Sequence, residues 1–130
     1  MNPYESHLNG LAQGFISMSE ALTWYDGHSD SSKTELLLVL AFYVKQCRPT
    51  YQETCQAVTQ SGLPKNDALS RRFRAMRDPQ TQLSLLIEKS MSESRAVFEV
   101  LSHLFVISDS RRRAQCRLVG CAHYWHHPVR

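Results

Sequence analysis

Cys116, Cys121, His123 and His126 place two thiols and two imidazoles within eleven residues of chain, a donor set that zinc takes tetrahedrally. Familiar structural zinc sites join a short cysteine knuckle to a separate histidine pair at wider spacing. Here one compact loop has to wrap the ion alone. The competing reading sets Cys116 on a helix face and Cys121 as a small buried hydrophobe. Trp125 then packs an irregular, aromatic- and histidine-rich tail onto the fold. Packing is the preferred reading, and no cofactor is expected.

Arg111, Arg112 and Arg113 lead directly into that cluster, with Arg117 one turn beyond Arg113. Guanidinium groups bind carboxylate and phosphate bidentately. On a helix, consecutive residues point about 100° apart, so at most two of the three arginines share a face. The third is left to stack on an aromatic ring or to pair inward with an acid such as Asp109. Arg111, Arg112, Arg113 and Arg117, with Trp125 and His126, form the candidate surface for a protein partner.

A second basic stretch, residues 65–77, carries Lys65, Arg71, Arg72, Arg74 and Arg77 against the single acid Asp67. Preceded by a short helix and the turn Ser61-Gly-Leu-Pro64, it permits a helix-turn-helix reading in which the arginines meet phosphates and guanine edges. Val58 stands where that motif usually has a small residue, and Pro64 starts the second helix late. Nucleic-acid binding is therefore the alternative. Nucleophile elbows, phosphate-binding glycine loops and zincin motifs do not occur, and His103 sits on an apolar helical stripe. The chain reads as a non-enzyme.

With 42% hydrophobic and 21% charged residues, the composition is that of a folded protein. The net charge of +3 is unevenly spread: residues 111–130 hold five arginines and no acid, so the body outside the two basic stretches is acidic. Segregated charge of this kind steers association with a charged partner. No basic n-region and apolar run mark the N-terminus as a secretory signal, so a cytoplasmic protein with reduced thiols is expected. The longest apolar run, Leu36 to Val44, is nine residues, far short of the ~20 that span a bilayer.

Helix-start signals recur along the chain. Ser17/Glu20, Ser32/Glu35, Thr50/Glu53 and Ser90/Glu93 have capping-box spacing, and Asp78-Pro79 offers an acidic cap with proline at the first helical position. Gly27, Pro49, Gly62 and Gly120 stand at the stops. These signals predict a short segment near 4–13 and helices near 18–26, 33–47, 51–60, 66–76, 79–89 and 91–117. The fold class is all-α, a single domain over 1–130 built as a compact bundle of about six helices. The helix over 33–47, apolar all round, is expected at its centre. Ser108-Asp109-Ser110 is a candidate interruption of the last helix.

Two segments carry a resemblance. Leu11-Ala-Gln-Gly-Phe-Ile-Ser-Met-Ser-Glu20-Ala-Leu-Thr-Trp24-Tyr25 is one. The other is Leu104-Phe-Val-Ile-Ser-Asp109-Ser-Arg-Arg-Arg113 with Cys116, Gly120-Cys121 and His123-Tyr-Trp125-His126. Together they resemble a small bacterial family of unknown function. The resemblance covers both ends and, by helix order, nearly the whole chain. It implies an all-helical bacterial domain of this length and no established activity. The stretch from Ser61 to Met76 departs from the family pattern, which leaves the basic helix without family support. A small cytosolic protein-interaction module, of the immunity or adaptor type, is the expected function, with a zinc-binding module as a further alternative.

Overall fold

Hydroxyl and carboxylate caps set where most of the helices begin. A computed structural model describes residues 3–63, 67–90 and 92–119, with side chains in the last helix as far as residue 116. Helix α1 (Glu5–Gln13) ends at Gly14, whose φ of +87° is the left-handed region that suits glycine and whose N–H meets the carbonyls of Gly10 and Leu11. Helix α2 (Met18–Asp26) opens on a complete capping box. Glu20 N–H donates to Ser17 Oγ at 3.1 Å, and Ser17 N–H donates back to Glu20 Oε1 at 2.9 Å. Thr50 and Glu53 do the same for α4 (Tyr51–Gln60). Asp67 caps α5 (Ala68–Ala75), and Asp78 with Pro79 starts α6 (Pro79–Lys89).

Two of the expected caps are displaced. Helix α3 (Asp30–Gln46) is capped by Ser29, not Ser32; Ser32 falls in its first turn and donates its N–H to Ser29. Glu35 is thereby released, and its Oε1 accepts from the Tyr4 hydroxyl at 3.0 Å, tying α1 to α3. Ser90 closes α6 instead of opening the next helix, its hydroxyl donating to Ile87 O at 2.7 Å. Helix α7 (Ser94–Val119) then runs unbroken for 26 residues. Ser108 and Asp109 do not interrupt it because their side chains bond along the helix. Ser108 Oγ donates to Leu104 O, and Asp109 accepts from Arg113 Nε, both at 2.7 Å.

The described residues form seven helices and no strand, one helix more than expected, because the segment near 4–13 is itself helical. The hub is α7 and not α3. At about 39 Å, a 26-residue helix spans the bundle, and α7 packs against α1, α2, α3, α4 and α6. Its Val97, Phe98, Val100, Leu101, Leu104 and Phe105 are buried. Tyr25 of α2 stacks on Phe98 at 4.3 Å between ring centroids, and Tyr43 of α3 on Phe105 at 6.0 Å. Helix α3 buries Leu36, Leu37, Leu40 and Val44 on one side and leaves Leu38 and Phe42 exposed on the other.

A buried amide joins the remaining helices. Gln82 of α6 donates from Nε2 to Phe73 O of α5 at 2.9 Å. Its Oε1 accepts from the Thr54 hydroxyl of α4 at 2.7 Å. All its hydrogen-bonding partners lie inside the core, as a buried amide requires.

Candidate functional site

Two of the three consecutive arginines, Arg111 and Arg112, reach the α3–α4 junction. Arg111 forms a two-pronged pair with Glu53, Nε to Oε2 and Nη2 to Oε1, each 2.9 Å. The same Nη2 reaches the carbonyls of Cys47 at 3.1 Å and Arg48 at 3.0 Å. Arg112 Nη1 donates to Gln46 O, and Arg113 pairs with Asp109 one turn back. The last carbonyls of a helix lack intrahelical donors and carry the negative end of its dipole. Arginines from α7 therefore cap the C-terminus of α3 across space. The chain there turns through Arg48 at φ +50°, a left-handed conformation costly for a side-chain-bearing residue.

The two carboxylates in this corner respond oppositely to their surroundings. Burial alone would raise the Glu53 carboxyl, but hydrogen bonds from Arg111 and the Thr50 N–H, with the Arg111 charge, hold it below the usual range. Asp109, 1% exposed, has the opposite outcome: burial raises its carboxyl further than Arg113 and Arg112 lower it. Burial, seconded by the Asp109 charge, pushes the Cys47 thiol up to about 11. A thiol so placed is a poor nucleophile. This corner fixes helices in position.

On the other basic stretch the arginines divide. Arg71 and Arg72 are exposed on α5. Arg74 donates to Thr59 Oγ1 at 2.9 Å, and Arg77 lies over the Tyr51 ring at 5.2 Å. The eight-residue α5 thus presents two outward arginines from the stretch. Lys65, Cys121, His123, Trp125 and His126 lie outside the described residues, as does the side chain of Arg117. Cys116 is buried in α7. Among the described residues no three His, Cys, Asp or Glu side chains converge as a metal site. No described helix is long and apolar enough to cross a membrane.

One cluster was missed by reading residues singly. His7 stacks on Trp24 with centroids 3.7 Å apart, while Tyr4 and His28 flank the indole edge-on at 6.2 and 4.9 Å. His28 Nδ1 lies 2.8 Å from Trp24 O. His7 Nε2 is buried without a hydrogen-bond partner. Burial lowers the His7 pKa, the His28 charge lowers it further, and Glu20 opposes weakly. Tyr4 and His7, three apart, and Trp24 and His28, four apart, have helical spacing, with Tyr4 just before α1 and His28 just after α2. That spacing was the available signal.

The outward side of α3 is the remaining candidate. Leu38 is 53% exposed and Phe42 57% exposed, one turn apart on a helix whose opposite side is in the core. Exposed Glu35 and Lys45 stand beyond them on either side along the helix. The inward arginines and the Tyr4–Glu35 bond hold this helix at its two ends. Arg111 and Arg112 thus hold the end of α3, and the exposed apolar pair lies on its outward side.

A sequence profile of DUF5958, described as a family of unknown function, matches residues 3–128. No curated protein and no solved structure matches the chain.

Proposed function

The chain belongs to the DUF5958 family, and we propose that it is a protein-interaction module presenting the outer face of α3 to a protein partner. The carrying observation is the exposed pair Leu38 and Phe42, set on a helix clamped at both ends. Single exposed hydrophobics are ordinary on any surface. A leucine and a phenylalanine at i and i+4 on one rigid helix form the kind of anchor pair that helix-mediated recognition uses. Glu35 and Lys45 at its ends supply charges able to fix the register of a partner.

Nucleic-acid binding has less support. Among the described residues of the 65–77 stretch, Arg71, Arg72 and Arg77 are exposed. Three cations would contribute few phosphate contacts, whereas such binding draws on many. Phe42→p-benzoylphenylalanine photo-crosslinking in cells tests the interaction reading, with exposed Gln56 of α4 substituted likewise as the control. A protein adduct specific to position 42 is expected. No protein adduct at 42 beyond that seen at 56 overturns the reading.

A further inference from the structure

Glu35, Leu38, Phe42 and Lys45 are the exposed residues that matter on the front of α3. At about 100° per residue they fall within an arc of about 80°, one face of the helix. Their order is symmetric: Leu40 is the midpoint of both the Leu38/Phe42 pair and the Glu35/Lys45 pair. The apolar pair is central, with an acid at one end and a base at the other. A helix face of this kind is complementary to itself when turned end for end.

We propose that the partner seated on this face is a second copy of the chain, packed through antiparallel α3 helices about a two-fold axis at the height of Leu40. This rests on the protein-interaction reading above and names its partner. In a two-fold contact, if residue i meets residue j, then j meets i. Leu38 lies against Phe42 of the other copy, and Glu35 stands level with the other copy's Lys45, twice over. A parallel arrangement would set glutamate beside glutamate and lysine beside lysine. Glu35 also accepts the Tyr4 hydroxyl through Oε1, which orients its carboxylate while the residue remains exposed.

One helix face per copy lies at or below the ~1,200 Å² lower bound of stable interfaces, so the dissociation constant belongs in a range of about 10–100 µM. Sedimentation velocity on the purified full chain, from about 1 to about 500 µM, brackets that range. A concentration-dependent dimer is expected, with the combined Leu38→Asp and Phe42→Asp variant weakened at least ~10-fold. Glu35→Lys alone and Lys45→Glu alone each bring like charges together and weaken self-association. Mixed with one another, the two single variants regain opposite charges at both ends, and a heterodimer close to wild-type affinity forms. That rescue separates charge pairing from any damage to the helix, because misfolded partners do not rescue each other. Higher salt shrinks the difference between single variants and mixture.

A wild-type chain that stays monomeric throughout overturns the second-copy proposal. So does a dimer indifferent to Leu38 and Phe42, or a mixture of the charge variants no tighter than either alone. A position-42 crosslink to a different protein, with no adduct of twice the chain's mass, also overturns it while leaving the interaction reading standing. Crosslinks to no protein remove both.

Discussion

Arg111 and Glu53 lie 58 residues apart in the chain and meet in a two-pronged ion pair, both contacts at 2.9 Å. Glu53 already completes the capping box of α4 by accepting from the Thr50 N–H at 3.0 Å. One carboxylate thus starts α4 and, through Arg111, joins α7 to the carbonyls that end α3. The side chains of Arg111 and Glu53 are 29% and 12% exposed, so water screens this pair less than an open surface bridge.

Arg111→Ala is expected to cost about 2–4 kcal/mol, because it strands a part-buried carboxylate and two helix-end carbonyls together. Arg111→Lys restores charge without the two-pronged geometry and falls between. Arg71→Ala, on the exposed side of α5, is expected to stay within about 0.5 kcal/mol. Urea unfolding of the three variants measures this, and equal effects at 111 and 71 would refute the positioning role.

Stability should fall in two stages as pH drops. Burial lowers the pKa of both His7 and His103. The unfolded chain, with histidines near ~6.5, therefore takes up protons before the folded one does, and stability declines below that point. The Glu53 carboxyl is held low in the fold, so its contribution is intact above about 4.3 and is lost as pH falls through the folded value. Asp109 is raised by burial and works in the opposite direction, binding its proton first in the folded state. Urea midpoints across the range read these stages. Replacing His7 and His103 with glutamine should flatten the upper one, and rising stability between about pH 7.5 and 5.5 would contradict the assignment.

Gln82→Leu is expected to destabilise by about 1–3 kcal/mol, leaving the Phe73 carbonyl without its donor and the Thr54 hydroxyl without its side-chain acceptor. Thr54→Val should cost less, since Gln82 keeps its bond to Phe73. The two together should cost less than their sum, because the first change already removes the shared bond. A double-mutant cycle in urea checks the coupling, and strict additivity would show that Gln82 and Thr54 act separately.

Cysteine labelling should follow burial and charge. Cys55 is half-buried, whereas Cys47 is fully buried with its thiol pushed up to about 11. Alkylation at neutral pH, resolved by peptide mass spectrometry, is expected to modify Cys55 at least ~100-fold faster than Cys47. Cys47 should react only as the chain opens, and equal rates would contradict its placement beside Asp109.

Local signals were read correctly where the physics is local. Ser17, Thr50 and Asp78 cap helices where their sequence neighbours put them. Ser29 and Ser32 compete for one helix start, and only the Tyr4–Glu35 bond across 31 residues shows what Glu35 does instead. The central helix was misplaced because apolar density per residue favours α3. Burial goes instead to the longer helix with more neighbours, α7. Arg113 pairs with Asp109 one turn back, as the spacing suggests. Arg111 and Arg112 read as surface groups because their acceptors, Glu53 and the carbonyls of Gln46, Cys47 and Arg48, lie far along the chain. His7 and Trp24 come from different helices, so each half of their stack shows only its own spacing.

The position of α7 in the chain sets an order for synthesis. Helices α1 to α4 and α6 all turn apolar side chains toward a helix that starts at Ser94. Until α7 is made, those surfaces lack the helix they share. Most of these pairings join distant parts of the chain, and closing them must wait for α7 to leave the exit tunnel. Nascent chains should therefore stay soft and protease-sensitive until α7 has emerged, then consolidate in one step.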